Sequence, residues 1–294
     1  MPSIFFNDQY TACEYAFDTT RKSAAIAADL RANPIEHVVV NDPAAHLTVT
    51  EQLVARLHEG AYVHAVRTGS DLGLAESQGF TWDPGTYNMT VAHNSGLVAA
   101  TEAVLCGGEH WAGTTSSGLH HARADRGSGY CTFNGLAVAA QHAHQLGAQR
   151  ILVLDFDAHC GGGTYSMAGH LPLVQIDVST SAFDRWHPDE DDKESDLEFA
   201  DRHEYLQKIE RALKRASRLG PWDFVLYNAG MDPFNTGVGS AVLRTRERMV
   251  AEWSAAQACP TVVTIAGGYT STDITMDRIV SLHRSTFEEF ARVA

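Results

Sequence analysis

At 294 residues and 32.0 kDa the chain is long enough for one sizeable core, and 44% hydrophobic with 20% charged residues excludes a disordered protein. Its 22 basic against 36 acidic residues give a formal net charge of −14. That excludes an extended nucleic-acid surface, which needs clustered lysine and arginine, and is compatible with a cationic substrate or with solubility alone.

The opening segment, Met1 to Asp8, has no basic start and turns polar early, so no signal peptide is expected and the location read from it is cytoplasmic. Helical patterning follows over residues 21–31, then a short β-rich run over 36–40 and a helix over 47–58. Further helices are predicted over 89–105 and 134–146, and strands over 150–154 and 171–176. A helix over 205–219, a strand over 224–226, a helix over 241–257, a strand over 261–265 and a helix over 276–293 complete the chain. The continuous runs Ile151-Leu152-Val153-Leu154 and Val262-Val263-Thr264-Ile265 read as strands buried on both faces, which belong to parallel sheets. The alternation therefore predicts an α/β fold with a doubly wound, mostly parallel sheet flanked by helices, in a single domain over 1–294. No stretch reaches the ~20 apolar residues of a membrane span, so no membrane partner is expected. One segment stands apart: 187–196 is strongly acidic and follows a strand. It reads first as a solvated loop, and its position past a strand end also allows it to border a site.

Ligands of open parallel sheets sit at the C-terminal ends of the strands. Polar clusters follow three of the predicted strands: Asp155-Phe156-Asp157-Ala158-His159, Asn228-Ala229-Gly230-Met231-Asp232 and Gly267-Gly268-Tyr269. A fourth, Gly118-Leu119-His120-His121, lies in a loop ahead of a helix. Asp157 and His159 are two apart, and in an extended segment they point to one side. Asp232 adds a third ligand from another strand. Two carboxylates and one imidazole leave a fourth position open, the layout of a catalytic zinc site. A lone Asp-x-His is more often a cap or a surface pair; its placement beside a second strand-end aspartate reverses that judgement.

Asp155 reads as a further ligand, a monovalent-cation ligand or an orienting partner, with the orienting role toward His120 preferred. The tandem histidines are expected to diverge and rim one cavity from different angles. One of them is expected to deprotonate a metal-bound water and later protonate the leaving amine, although a His-His dipeptide is commonly just two unrelated polar loop residues. Tyr269, after two glycines, is placed to hydrogen-bond a carbonyl oxygen, although a lone Gly-Gly-Tyr is more often a surface turn. Gly161-Gly162-Gly163 permits close backbone approach, with neither a phosphate-loop lysine nor a dinucleotide fingerprint around it. The five cysteines form no Cys-x-x-Cys pair, which argues against a disulfide framework or a cysteine zinc site.

In this order and spacing, these clusters and Gly129-Tyr130-Cys131-Thr132-Phe133-Asn134 resemble the zinc-dependent histone deacetylase family, which includes acetylpolyamine amidohydrolases and bacterial deacetylase-like amidohydrolases. The resemblance spans nearly the whole chain. It implies the arginase–deacetylase fold and one zinc ion per chain held by Asp157, His159 and Asp232. It implies His121 as general base and acid, His120 backed by Asp155 as electrostatic partner, and Tyr269 polarising the acyl carbonyl. Gly129 and Tyr130 would line the substrate channel. A structural potassium ion would draw on Asp155, Asp157 and His159, with Asp177 where the family has serine. The activity implied is removal of an acyl group, acetyl foremost, from acetyl-lysine, an acetylpolyamine or a related small-molecule or peptide N-acyl amine. A homo-oligomer is compatible with the sequence.

Two departures bear on this. Gly162 stands where the family carries the acid or amide behind the second histidine, which leaves His121 without its usual support. The acidic 189–196 run replaces a Gly- and Pro-rich rim loop and predicts a preference for substrates with a second positive charge. Two other readings compete. A non-catalytic binder of acylated amines would explain Gly162, but not the retention of Tyr269 and all three ligands. A binuclear manganese ureohydrolase would need acids where Gly161 and Gly230 stand.

Overall fold

The structure, a computed structural model, describes residues 1–13 and 18–293. Eight strands alternate with ten helices among the described residues. In chain order they are β1 (Ser3–Phe5), α1 (Asp18–Ala32), β2 (Val39–Asn41), α2 (Leu47–Leu57), α3 (Gly60–Thr68), α4 (Leu72–Ala75) and α5 (Thr86–Leu105). Then come β3 (Trp111–Ser117), α6 (Gly135–Gln145), β4 (Ile151–Asp155), α7 (Gly162–Ala168), β5 (Leu173–Ser179) and β6 (Asp196–Phe199). The chain closes with α8 (Tyr205–Leu219), β7 (Phe224–Gly230), α9 (Ser240–Gln257), β8 (Thr261–Ala266) and α10 (Met276–Ala291).

All strands join one sheet in the order β2-β1-β3-β8-β7-β4-β5-β6, every pair parallel. The doubly wound reading is visible along β4. Leu152 and Leu154 enter the core with α8, α9 and α10, whereas Ile151 and Val153 face the core with α5 and α6. All four are fully buried, each contributing about 1.5–3 kcal/mol. α8 buries Tyr205, Ile209, Ala212, Leu213 and Ala216 along one face at helical spacing. α5 is central instead and is buried almost all round.

Three strands were not predicted. β1 has only three residues. β3 is buried but built from Thr114, Thr115 and Ser116, whose small polar side chains carry no apolar signal. β6, at the sheet edge, follows the acidic run directly. The short helices α3, α4 and α7 also escaped prediction.

The acidic run does not rim the strand ends. Trp186 stacks on Tyr165 of α7, and Tyr165 donates to Asp192 at 3.1 Å. Glu194 then pairs with Arg150 at the start of β4, 2.8 Å away. The segment thus runs back to the N-terminal ends of the strands, as it must for β6 to pair parallel with β5.

Candidate active site

In-register pairing sets Asp155 of β4 between Asp177 of β5 and Asn228 of β7, a polar row at the strand ends. β4 stops there. Asp157-Ala158-His159 lies in a bend rather than an extended segment, so the two side chains converge for a different reason than strand alternation. The bend is held by its own carboxylates: Asp157 N–H donates to Asp155, His159 N–H to Asp157 at 2.9 Å, and Ala158 N–H to Asp232 at 2.9 Å. Asp232 begins a short 3₁₀ turn after β7, the neighbour of β4.

Asp157, His159 and Asp232 offer three ligand atoms within 4.8 Å of one another, and no other such cluster occurs among the described residues. His159 Nδ1 lies 2.9 Å from Asp232 Oδ2 and 3.2 Å from Asp157 Oδ1. Even so, Asp232 Oδ2 is buried without a partner in hydrogen-bonding geometry. Burial and the Asp157 charge push Asp232 up to about 6. Two buried carboxylates beside one imidazole, one of them incompletely satisfied, fit a divalent cation of the zinc class.

The tandem histidines do not diverge. Both sit in one turn, their ring centroids are 3.9 Å apart, and both line the same cavity. His120 Nδ1 meets Asp155 Oδ2 at 2.6 Å. Burial opposes charge on His120, but Asp155 and Asp157 outweigh it and raise the ring to about 10. His121 is the opposite case: burial and the neighbouring His120 charge lower it to about 4, leaving it neutral. Its Nδ1 is not left without support. Asp184, in the β5–β6 connection, places Oδ2 2.9 Å away.

Gly267 and Gly268 both hold positive φ, 51° and 80°, and swing Tyr269 to the cavity wall. An inner cavity of about 40 Å³ opens into a mouth of about 470 Å³. Gly129, Tyr130, His121, His159 and Tyr269 line both, and Phe183 stands at the mouth edge-on to His121. Every predicted catalytic, zinc-ligating and channel residue is thus gathered at one place.

Asp177 is placed differently. Its carboxylate accepts N–H bonds from Gly161 at 2.9 Å, Trp186 at 2.7 Å and Gln175 at 2.9 Å. Burial and the Asp155 charge push it up to about 8. Oδ2 takes the Gly161, Trp186 and Gln175 donors, whereas Oδ1 accepts, among the described residues, only from the Gln175 amide.

Besides Asp184, the sequence reading missed two buried cations. Lys22 of α1 donates to the Gly267 carbonyl, and burial lowers it to about 8. Arg246 of α9 is fully buried and pairs with Glu247. Neither carries a motif, and helix periodicity marks both only as unexpected polar residues on a buried face.

The parallel α/β sheet thus carries at its strand ends a histidine pair and an Asp–His–Asp cluster that could hold a metal ion. The chain belongs to the histone deacetylase family: the histone deacetylase domain matches residues 16–284. An uncharacterized protein of Picosynechococcus sp. is 32% identical over 231 residues, 72% of this chain and 74% of its own length. Histone deacetylase 2 of Arabidopsis thaliana is 28% identical over 194 residues, 59% of this chain and 49% of that one. The acetylpolyamine aminohydrolase of Burkholderia pseudomallei shares the fold over 100% of this chain and 99% of its own, with a TM-score of 0.78 at 17% identity. Family membership places the chain among hydrolases of acylated amines. Among the described residues, no helix is long and apolar enough to cross a membrane.

Proposed function

We propose that this protein is a zinc-dependent amidohydrolase that removes an acyl group, acetyl foremost, from an unhindered alkylamine such as acetyl-lysine or an acetylpolyamine. The observation that carries this is the convergence of Asp157, His159 and Asp232 beside His120, His121 and Tyr269 in a narrow cavity. Zinc bound by those three side chains would supply Lewis-acid polarisation of the carbonyl and an acidified water.

The remaining work falls to the chain. Neutral His121 takes a proton from the attacking water and returns it to the leaving nitrogen. His120, kept charged by Asp155, stabilises negative charge developing beside it. The Tyr269 phenol donates to the carbonyl oxygen, adding to the oxyanion stabilisation. Gly129, Tyr130 and Phe183 exclude water from the alkyl chain.

Among the described residues lining the mouth, the only acidic or basic side chains are His121 and His159, and none belongs to the acidic run. The acidic run therefore offers a second positive charge no carboxylate at the mouth. Turnover of acetylputrescine, acetylspermidine and an acetyl-lysine peptide by zinc-loaded protein tests the reading. Rates should be insensitive to salt, and Tyr269→Phe should lower kcat by about 10²–10³-fold. Binding of these compounds with no turnover would instead support the non-catalytic reading.

A further inference from the structure

We infer that Asp184 supplies, from the β5–β6 connection, the carboxylate that orients His121 in place of the acid absent at position 162. This rests on the amidohydrolase reading only for its consequence on rate.

The carboxylate is surrounded by donors. Oδ2 sits 2.9 Å from His121 Nδ1 and accepts the Gly163 N–H at 3.0 Å, while Oδ1 accepts from the Arg123 guanidinium. With its side chain only 6% exposed, Asp184 is largely shielded from bulk water. An anion on Nδ1 favours the tautomer whose proton is on that nitrogen, leaving Nε2 free to accept one.

The exchange with Gly162 is steric as well as chemical. A Cβ at 162 would lie 2.3 Å from the Asp184 carbonyl oxygen and 2.6 Å from its Oδ1. In this backbone, a side chain at 162 and the carboxylate of residue 184 exclude each other. Asp184 also adopts φ 57°, a left-handed conformation that non-glycine residues hold at a cost. The connection is fastened in that shape: Thr180 and Ser181 N–H donate to the Ala158 carbonyl at 2.9 and 2.7 Å, and Cys160 N–H to the Phe183 carbonyl at 3.0 Å. The bend that presents the metal ligands thus also fixes the loop that presents the acid.

Asp184 is a positioning residue, tested by a readout that a purely structural role would not move. In zinc-loaded Asp184→Asn and Asp184→Ala, kcat should fall about 10- to 100-fold with KM within about twofold and zinc content unchanged. Imidazole ¹⁵N shifts should show His121 protonated at Nδ1 in the parent, with the Nε2–H form growing in Asp184→Ala. Parent-like kcat in both variants, or an Nε2–H tautomer in the parent, overturns the assignment. If a variant fails to fold, the parent spectrum alone still decides it. Should the parent turn over no acylated amine, the amidohydrolase reading falls, and the same spectrum still judges the His121–Asp184 pair.

Discussion

Arg246, deep in α9, donates at 2.7 Å to the carbonyl of Gly230, two residues ahead of Asp232. The same Nη1 reaches the Phe156 carbonyl at 2.8 Å, one residue ahead of Asp157, and the Tyr205 hydroxyl at 2.8 Å. One buried guanidinium therefore ties together the two strand ends that carry the Asp157 and Asp232 carboxylates. Arg246→Met should destabilise the protein by about 3–5 kcal/mol, because Glu247 would be left as an unpaired buried charge. Converting Glu247→Gln as well should recover part of that loss. Chemical denaturation measures both, and a single variant as stable as the parent would contradict the role of the pair.

Gly162→Ala places one methyl against the Asp184 carbonyl. A loss of about 1–3 kcal/mol is expected from overpacking, together with lower kcat as the 184 carboxylate is displaced from His121. Unchanged denaturation and kinetics would show that the connection yields freely.

Chelation tests the metal cluster without reference to turnover. One zinc per chain is expected by elemental analysis, and removing it should lower Tm, since an ion bound only by the folded state stabilises that state. In Asp232→Asn, zinc content should fall well below one and the chelator should no longer shift Tm. Full occupancy in that variant would remove Asp232 from the ligand set.

Stability should also decline in mild acid. Burial holds His58 and His93 at about 4, against 6.5 for the free side chain. His58 is used as a neutral ring, with Nδ1 2.9 Å from the Arg123 carbonyl and Nε2 accepting from Asn134 N–H. The unfolded chain binds these protons more tightly, so stability is full above about pH 6.5 and falls as pH drops toward 4. Each ring contributes on the order of 3 kcal/mol to that fall. Denaturation between pH 8 and 4.5 in metal-free protein should show it, with a shallower slope in His58→Gln. Equal slopes would shift the acid sensitivity to other groups.

How much was legible in the amino-acid sequence depended on where the signal was local. β4 was readable because four consecutive apolar residues satisfy both sheet faces at once. β3 was not, because its interior suits hydroxyl groups that bond across the sheet, as Thr114 does to the Phe5 carbonyl at 3.1 Å. The candidate cluster Asp157, His159 and Asp232 was readable as polar residues placed directly after apolar strands. Their convergence in a bend, and the approach of the His120 and His121 rings, were products of turn geometry that spacing does not encode. Asp184 lies 63 residues from its histidine, and no periodicity links them. Gly162 showed only that an acid was missing, while which loop supplies it depends on how β5 returns to β6.

The His121–Asp184 pair separates loss of a motif from loss of a function. By motif alone, glycine at 162 leaves His121 with no acid nearby in the sequence. In space, a buried carboxylate stands 2.9 Å from that imidazole, brought there by a different loop, so a motif read one position at a time overlooks a partner that the fold supplies.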